Sequence, residues 1–98
     1  MIRRAGGIIF AKSNCPQLGF TFETNNRIFG RAFNPHNPKY ITGGSTGGEG
    51  GLLGSKCSII GVGSDIGGSI RFPSGFNGVC GYKPSTKRIC VKGNKTIH

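Results

Sequence analysis

The sequence predicts an α/β fold, in which short buried strands flank a short helix and much of the remaining chain is irregular loop. Three observations carry that prediction. Two apolar runs of strand length, "GGIIFAK" (Gly6 to Lys12) and "CSIIGVGSD" (Cys57 to Asp65), are interrupted or bounded by glycine. Between them, "GGSTGGEGGLLGSKC" opens with glycines and hydroxyls and continues into a leucine pair, as a loop feeding a helix does. Strand, helix and strand in this order imply a sheet with a parallel element.

In chain order, "GGIIFAK" reads as a buried strand that leaves through "SNCP" into a loop. "FGRAFNPHNPKYITGG" packs several Asn and Pro turn signals into a few residues, so it should be irregular and exposed. The helix is expected over Gly47 to Lys56, with Thr46 as its cap, Glu49 in the capping-box position and Leu52 and Leu53 as its apolar face. "CSIIGVGSD" alternates too little for a half-exposed strand and fits one covered on both faces. "IRFPSGFNG" suggests a brief helical turn and "VCGYKP" one more short strand. Strands covered on both faces need neighbours, and three such pieces have too few among themselves. The chain is therefore expected to be part of something larger.

With 98 residues there is room for at most one domain, and 19 glycines with 35% hydrophobic residues leave little to bury. Each glycine ordered in a helix or strand costs roughly 0.5 to 1 kcal/mol relative to alanine, so an independent compact fold is marginal.

A formal charge of +10 would suit an anionic partner. The basic residues, however, are scattered, apart from an N-terminal "RR" and a tail (residues 89–98, preceded by Lys83, Lys87 and Arg88), and no base-reading motif accompanies them. No specific nucleic-acid contact is expected. Cys15, Cys57, Cys80 and Cys90 are too widely spaced for a metal knuckle, and His36 and His98 fall outside ligand spacing, so the thiols are expected to be small, buried or unreactive. There is no signal peptide and no apolar run of about 18 residues, which favours an intracellular setting and leaves peripheral membrane association open.

Chemistry concentrates in two glycine and serine loops, Gly43-Gly44-Ser45-Thr46-Gly47-Gly48 and Asp65-Ile66-Gly67-Gly68-Ser69. Backbone N–H groups in such turns can bind phosphate or hold an oxyanion. For phosphate, the glycine spacing from Gly61 to Gly67 misses the dinucleotide fingerprint by one residue, and Glu49 stands where a Walker lysine belongs. For an oxyanion, Ile66, Gly67, Gly68 and Ser69 would be the donors and Ser69 the nucleophile. A plain structural turn is the third reading. No histidine base and no G-x-S-x-G elbow accompanies Ser69. A non-catalytic, glycine-rich basic binding module is the alternative to an enzyme.

"GGSTGGEGGLLGS" followed by "GVGSDIGGSIRFPSGFNGVCGYKPS" resembles the core of the amidase signature family, closest to its fatty acid amide hydrolase type. "GGIIFAKSNCPQ" and "NNRIFGRAFNP" extend the likeness over about residues 5–88. The resemblance implies part of a mixed-sheet amidase fold and hydrolysis of small-molecule carboxamides through an acyl-serine, without metal or cofactor. By the same resemblance Ser69 matches the nucleophile, and Ser45 matches a bridging serine on a cis peptide bond. Ile66 to Ser69 match the oxyanion loop, while Thr46, Asp65 and Arg71 match supporting residues. Thr42 and Thr46 depart from the family's proline and second serine. The family's buried catalytic lysine has no match: Lys12 falls in a different segment, and Lys56 near the helix end should face solvent. The 98 residues by themselves are therefore expected to be inactive.

Overall fold

The computed structural model describes residues 1–93. Lys95 and His98 of the basic tail lie outside the described residues. Two α-helices, α1 (Gly47–Gly54) and α2 (Arg71–Asn77), pack against each other. The ladder is an antiparallel hairpin of β1 (Asn25–Asn26) and β2 (Gly30–Arg31), pairing Asn25 with Arg31 and Asn26 with Gly30. Short 3-10 turns at Ile2–Ala5 and Gln17–Gly19 complete the elements. The chain thus mixes α and β, with long stretches of loop.

α1 begins where the sequence places it and stops two residues before Lys56, which takes a left-handed φ of 61° and cannot extend the helix. Its capping box does not form. Thr46 makes no side-chain cap bond, and Glu49 accepts a hydrogen bond from Ser13 Oγ at 2.8 Å. α2 is a full two-turn helix ended by Gly78, which is left-handed at φ 66° and donates its N–H to Ser74 O.

The expected strands are corrected. Gly6 to Lys12, Cys57 to Asp65 and Val79 to Pro84 contain no ladder, and no parallel pairing occurs among the described residues. Ile8 is 87% exposed and Ile59 is 99% exposed, so these runs are not buried either. The reason is pairing. An apolar run becomes a buried strand only when neighbours take up its backbone N–H and C=O groups and cover both faces, and the described residues supply none. The Phe29 to Gly44 stretch is also less open than expected: it contains β2, Phe33 bridges Ile41, and Asn34 and Thr42 are buried. The four cysteines are free and exposed, none of them buried.

Among the described residues the interior contains no buried hydrophobic side chain. Thr24, Asn34, Thr42, Ser45 and Asn77 fill it, with Pro73. Asn77 Nδ2 donates to Thr42 O at 2.8 Å and to Pro73 O at 2.7 Å, while Asn34 Nδ2 donates to Ile41 O and Phe76 O. Buried amides therefore join α2 to the segment that leads into the first glycine loop. Close approach of the helices depends on glycine, since a Cβ on Gly50 would stand 2.8 Å from Asn77 Nδ2 and 3.0 Å from Pro73 Cβ. No helix among the described residues is long and apolar enough to cross a membrane.

Candidate active site

Two loops that lie twenty residues apart in sequence meet at the N-terminal ends of the helices. Thr46 N–H donates to Ser69 O at 3.1 Å, and Thr46 Oγ1 donates to Ser64 O at 3.3 Å, so one residue of the first loop holds the end of the second and the residue just before it. Ser45 is buried and its peptide bond with Gly44 is cis; Ser69 is half-buried. Neither serine hydroxyl hydrogen-bonds to the other, or to a lysine, among the described residues. Lys12 and Lys56 are exposed.

The second loop is built around Asp65. Its side chain is fully covered and accepts N–H bonds from Gly68 at 2.6 Å, Ile70 at 3.1 Å and Arg71 at 3.3 Å. Arg71 adds a bidentate pair, with Nε and Nη2 each at 3.0 Å from a carboxylate oxygen. Such a fork is the strong form of a charge-assisted bond. The Arg71 guanidinium, aided by the three backbone donors and opposed by burial, holds the Asp65 carboxyl well below the usual carboxylate range, and Asp65 raises Arg71 in turn.

This arrangement divides the four amides. Gly68 gives its N–H to Asp65, whereas the N–H groups of Ile66, Gly67 and Ser69 find no protein acceptor among the described residues and take no part in sheet pairing. Gly68 also sits at φ 128°, and a Cβ there would stand 2.6 Å from Phe72 Cδ2. Glycine is the residue that fits both demands. The second loop thus offers an exposed Ile66, three backbone donors without a protein acceptor among the described residues, and a half-buried Ser69.

Beside the loop, Phe22 meets Phe72 edge to face at 5.4 Å between centroids, and Phe76 lies 6.4 Å beyond. With Ile41 these rings line an open groove of about 210 Å³. The i, i+4 spacing of Phe72 and Phe76 on α2 was the signal that could have found it; Phe22 carries none. Thr24 was also missed. It is fully buried, and its Oγ1 donates to Gly43 O at 2.9 Å and accepts from Gly47 N–H at 3.1 Å.

The model of the Amidase family matches residues 1–97, and the chain belongs to that family. It is 50% identical over 93 residues to fatty-acid amide hydrolase 2 of Homo sapiens, covering 95% of this chain and 18% of that protein. It is 43% identical over 105 residues to acetamidase of Emericella nidulans, covering 100% of this chain and 19% of that protein. Fatty-acid amide hydrolase 1 of Sus scrofa is 44% identical over 95 residues, 97% of this chain and 16% of that protein. The chain thus spans about a fifth of the length of the curated relatives it matches.

Proposed function

We propose that these residues carry the acyl-transfer site of a serine-dependent amide hydrolase, with Ser69 as nucleophile, Ser45 as proton bridge and the Ile66 to Ser69 loop as oxyanion hole. The observation that carries this reading is the Thr46 to Ser69 hydrogen bond, which sets the two serine loops side by side while three amides of the second loop stay unpaired.

In the proposed reaction Ser69 Oγ attacks the amide carbon as its proton passes to Ser45, and Ser45 gives up its own hydroxyl proton to a general base. The carbonyl oxygen becomes an anion facing the N–H groups of Ile66, Gly67 and Ser69, each such donor contributing about 3 to 4 kcal/mol to the transition state. Collapse breaks the C–N bond as the same proton returns through Ser45 to the leaving amine, and water, deprotonated by the same relay, then releases the acid and gives Ser69 back its proton. Asp65 and Arg71 keep the loop in shape, and Thr46 keeps the loops together. The rings of Phe22, Phe72 and Phe76 suit an apolar acyl substituent, in line with a fatty acid amide.

Proton removal from Ser69 needs a base. A lysine serves only when burial lowers a pKa that is normally near 10.4, and Lys12 and Lys56 are exposed. The 98 residues alone are accordingly proposed to be inactive. In the full-length gene product, a fluorophosphonate probe should label Ser69 and an acyl p-nitroanilide should be hydrolysed, with Ser69→Ala reducing turnover at least about 10³-fold. Turnover that survives in Ser69→Ala would sink the reading.

A further inference from the structure

The hydroxyl of Thr24 spans the first glycine and serine loop from below. It donates to Gly43 O at 2.9 Å on one side of Ser45 and accepts from Gly47 N–H at 3.1 Å on the other. Gly47 opens α1, and its N–H is one of the helix-start donors that have no partner inside the helix. Thr46, the residue placed by sequence to cap that end, instead reaches Ser64 O and Ser69 O. Thr24 thus takes over the cap from outside the helix and leaves Thr46 available to join the loops.

Thr24 is itself anchored. Its carbonyl accepts a hydrogen bond from Ala32 N–H at 2.9 Å, directly below the Asn25 to Arg31 pair of the hairpin, and the residue is fully enclosed. The hairpin is therefore the base, and the hydroxyl is the pin that fixes both ends of a four-bond span carrying Ser45. Donor and acceptor are both required, which a hydroxyl supplies and a methyl does not.

We propose that Thr24 is a positioning residue for Ser45, acting on proton transfer through the placement of the loop and not through substrate contact. This rests on the reading of Ser45 as the proton bridge. Thr42 is the natural control. It is equally enclosed, but its Oγ1 reaches only the carbonyl of the next residue, Gly43, at 3.3 Å and spans nothing.

The test compares Thr24→Val, Thr24→Ser and Thr42→Val in the full-length gene product, with an acyl p-nitroanilide as substrate and fluorophosphonate labelling of Ser69 as a second readout. Misplacing a catalytic group by about 1 Å can lower the rate about 100-fold. Thr24→Val should therefore lower kcat by about 10- to 100-fold with KM within about twofold. Thr24→Ser should restore most of kcat, and Thr42→Val should stay within about threefold of the parent. Equal losses in Thr24→Val and Thr42→Val would overturn the proposal, as would a kcat in Thr24→Ser as low as that expected of Thr24→Val while its melting temperature stays at the parent's. If Thr24→Val does not fold, the Thr24→Ser and Thr42→Val results decide. A parent protein with no Ser69-dependent labelling would refute the hydrolase reading itself, a result distinct from a labelled parent whose Thr24 variants are indifferent.

Discussion

Asp65 ties five donors to one carboxylate: the N–H groups of Gly68, Ile70 and Arg71, and two guanidinium nitrogens of Arg71. Its folded pKa is depressed, so its contribution to stability is complete above the unfolded value of about 3.9 and drains away as the pH falls below it. Asp65→Asn cannot ionise and should lose this acid-side dependence. The gap between the melting temperatures of parent and variant should stay constant from pH 7 down to about pH 4 and narrow as the pH falls further. A gap that does not narrow there would mean that the carboxylate charge is not what holds the loop. A family likeness suggested Asp65 and Arg71 as supporting residues, but not that they would pair with each other or that the Asp65 carboxylate would claim the N–H of Gly68. That detail depends on how the chain turns at φ 128°, which residue types alone do not fix.

At the scale of elements, α1 shows why a helix of eight residues contains five glycines. Two neighbouring positions separate the possible reasons. A Cβ on Gly50 would crowd Asn77 Nδ2 at 2.8 Å, whereas a Cβ on Gly51 would meet Thr42 Cγ2 at an ordinary 3.5 Å. Alanine gains up to about 1 kcal/mol over glycine inside a helix, while overpacking costs about 1 to 3 kcal/mol. Gly51→Ala should stabilise the full-length protein by up to about 1 kcal/mol, and Gly50→Ala should destabilise it by about as much or more. Urea unfolding of both variants checks the pair; equal effects would show that α1 and α2 do not pack as described. α1 was legible because hydroxyls and glycines before it set it locally, whereas α2, read only as a brief helical turn, runs for two turns. The cap was not legible, since its oxygen comes from Thr24, over twenty residues upstream of Gly47.

For the molecule as a whole, the polar interior is decisive. A Cα radius of gyration of 13.2 Å is close to the roughly 13 Å of a compact chain of this length. Yet no hydrophobic side chain among the described residues is buried. Burial of apolar area is the main favourable term in folding, and ordering each residue costs roughly 1 to 2 kcal/mol of conformational entropy. Expressed alone, the 98 residues should melt without a cooperative transition and should bind the dye ANS strongly. A sharp calorimetric peak with little dye binding would contradict this. The same fact explains which part of the fold the sequence misled on. "GGIIFAK" and "CSIIGVGSD" have the composition of strands covered on both faces, but composition reports what a segment can bury and not whether a partner is present.

The central claim is that the amides of the second loop receive the oxygen of a substrate bound to Ser69. The most direct measurement is a crystal structure of the full-length gene product after reaction with a fluorophosphonate. The account predicts phosphorus bonded to Ser69 Oγ, with the phosphonyl oxygen about 2.7 to 3.1 Å from the backbone nitrogens of Ile66, Gly67 and Ser69. An adduct on another residue, or a phosphonyl oxygen turned away from those nitrogens, would contradict it.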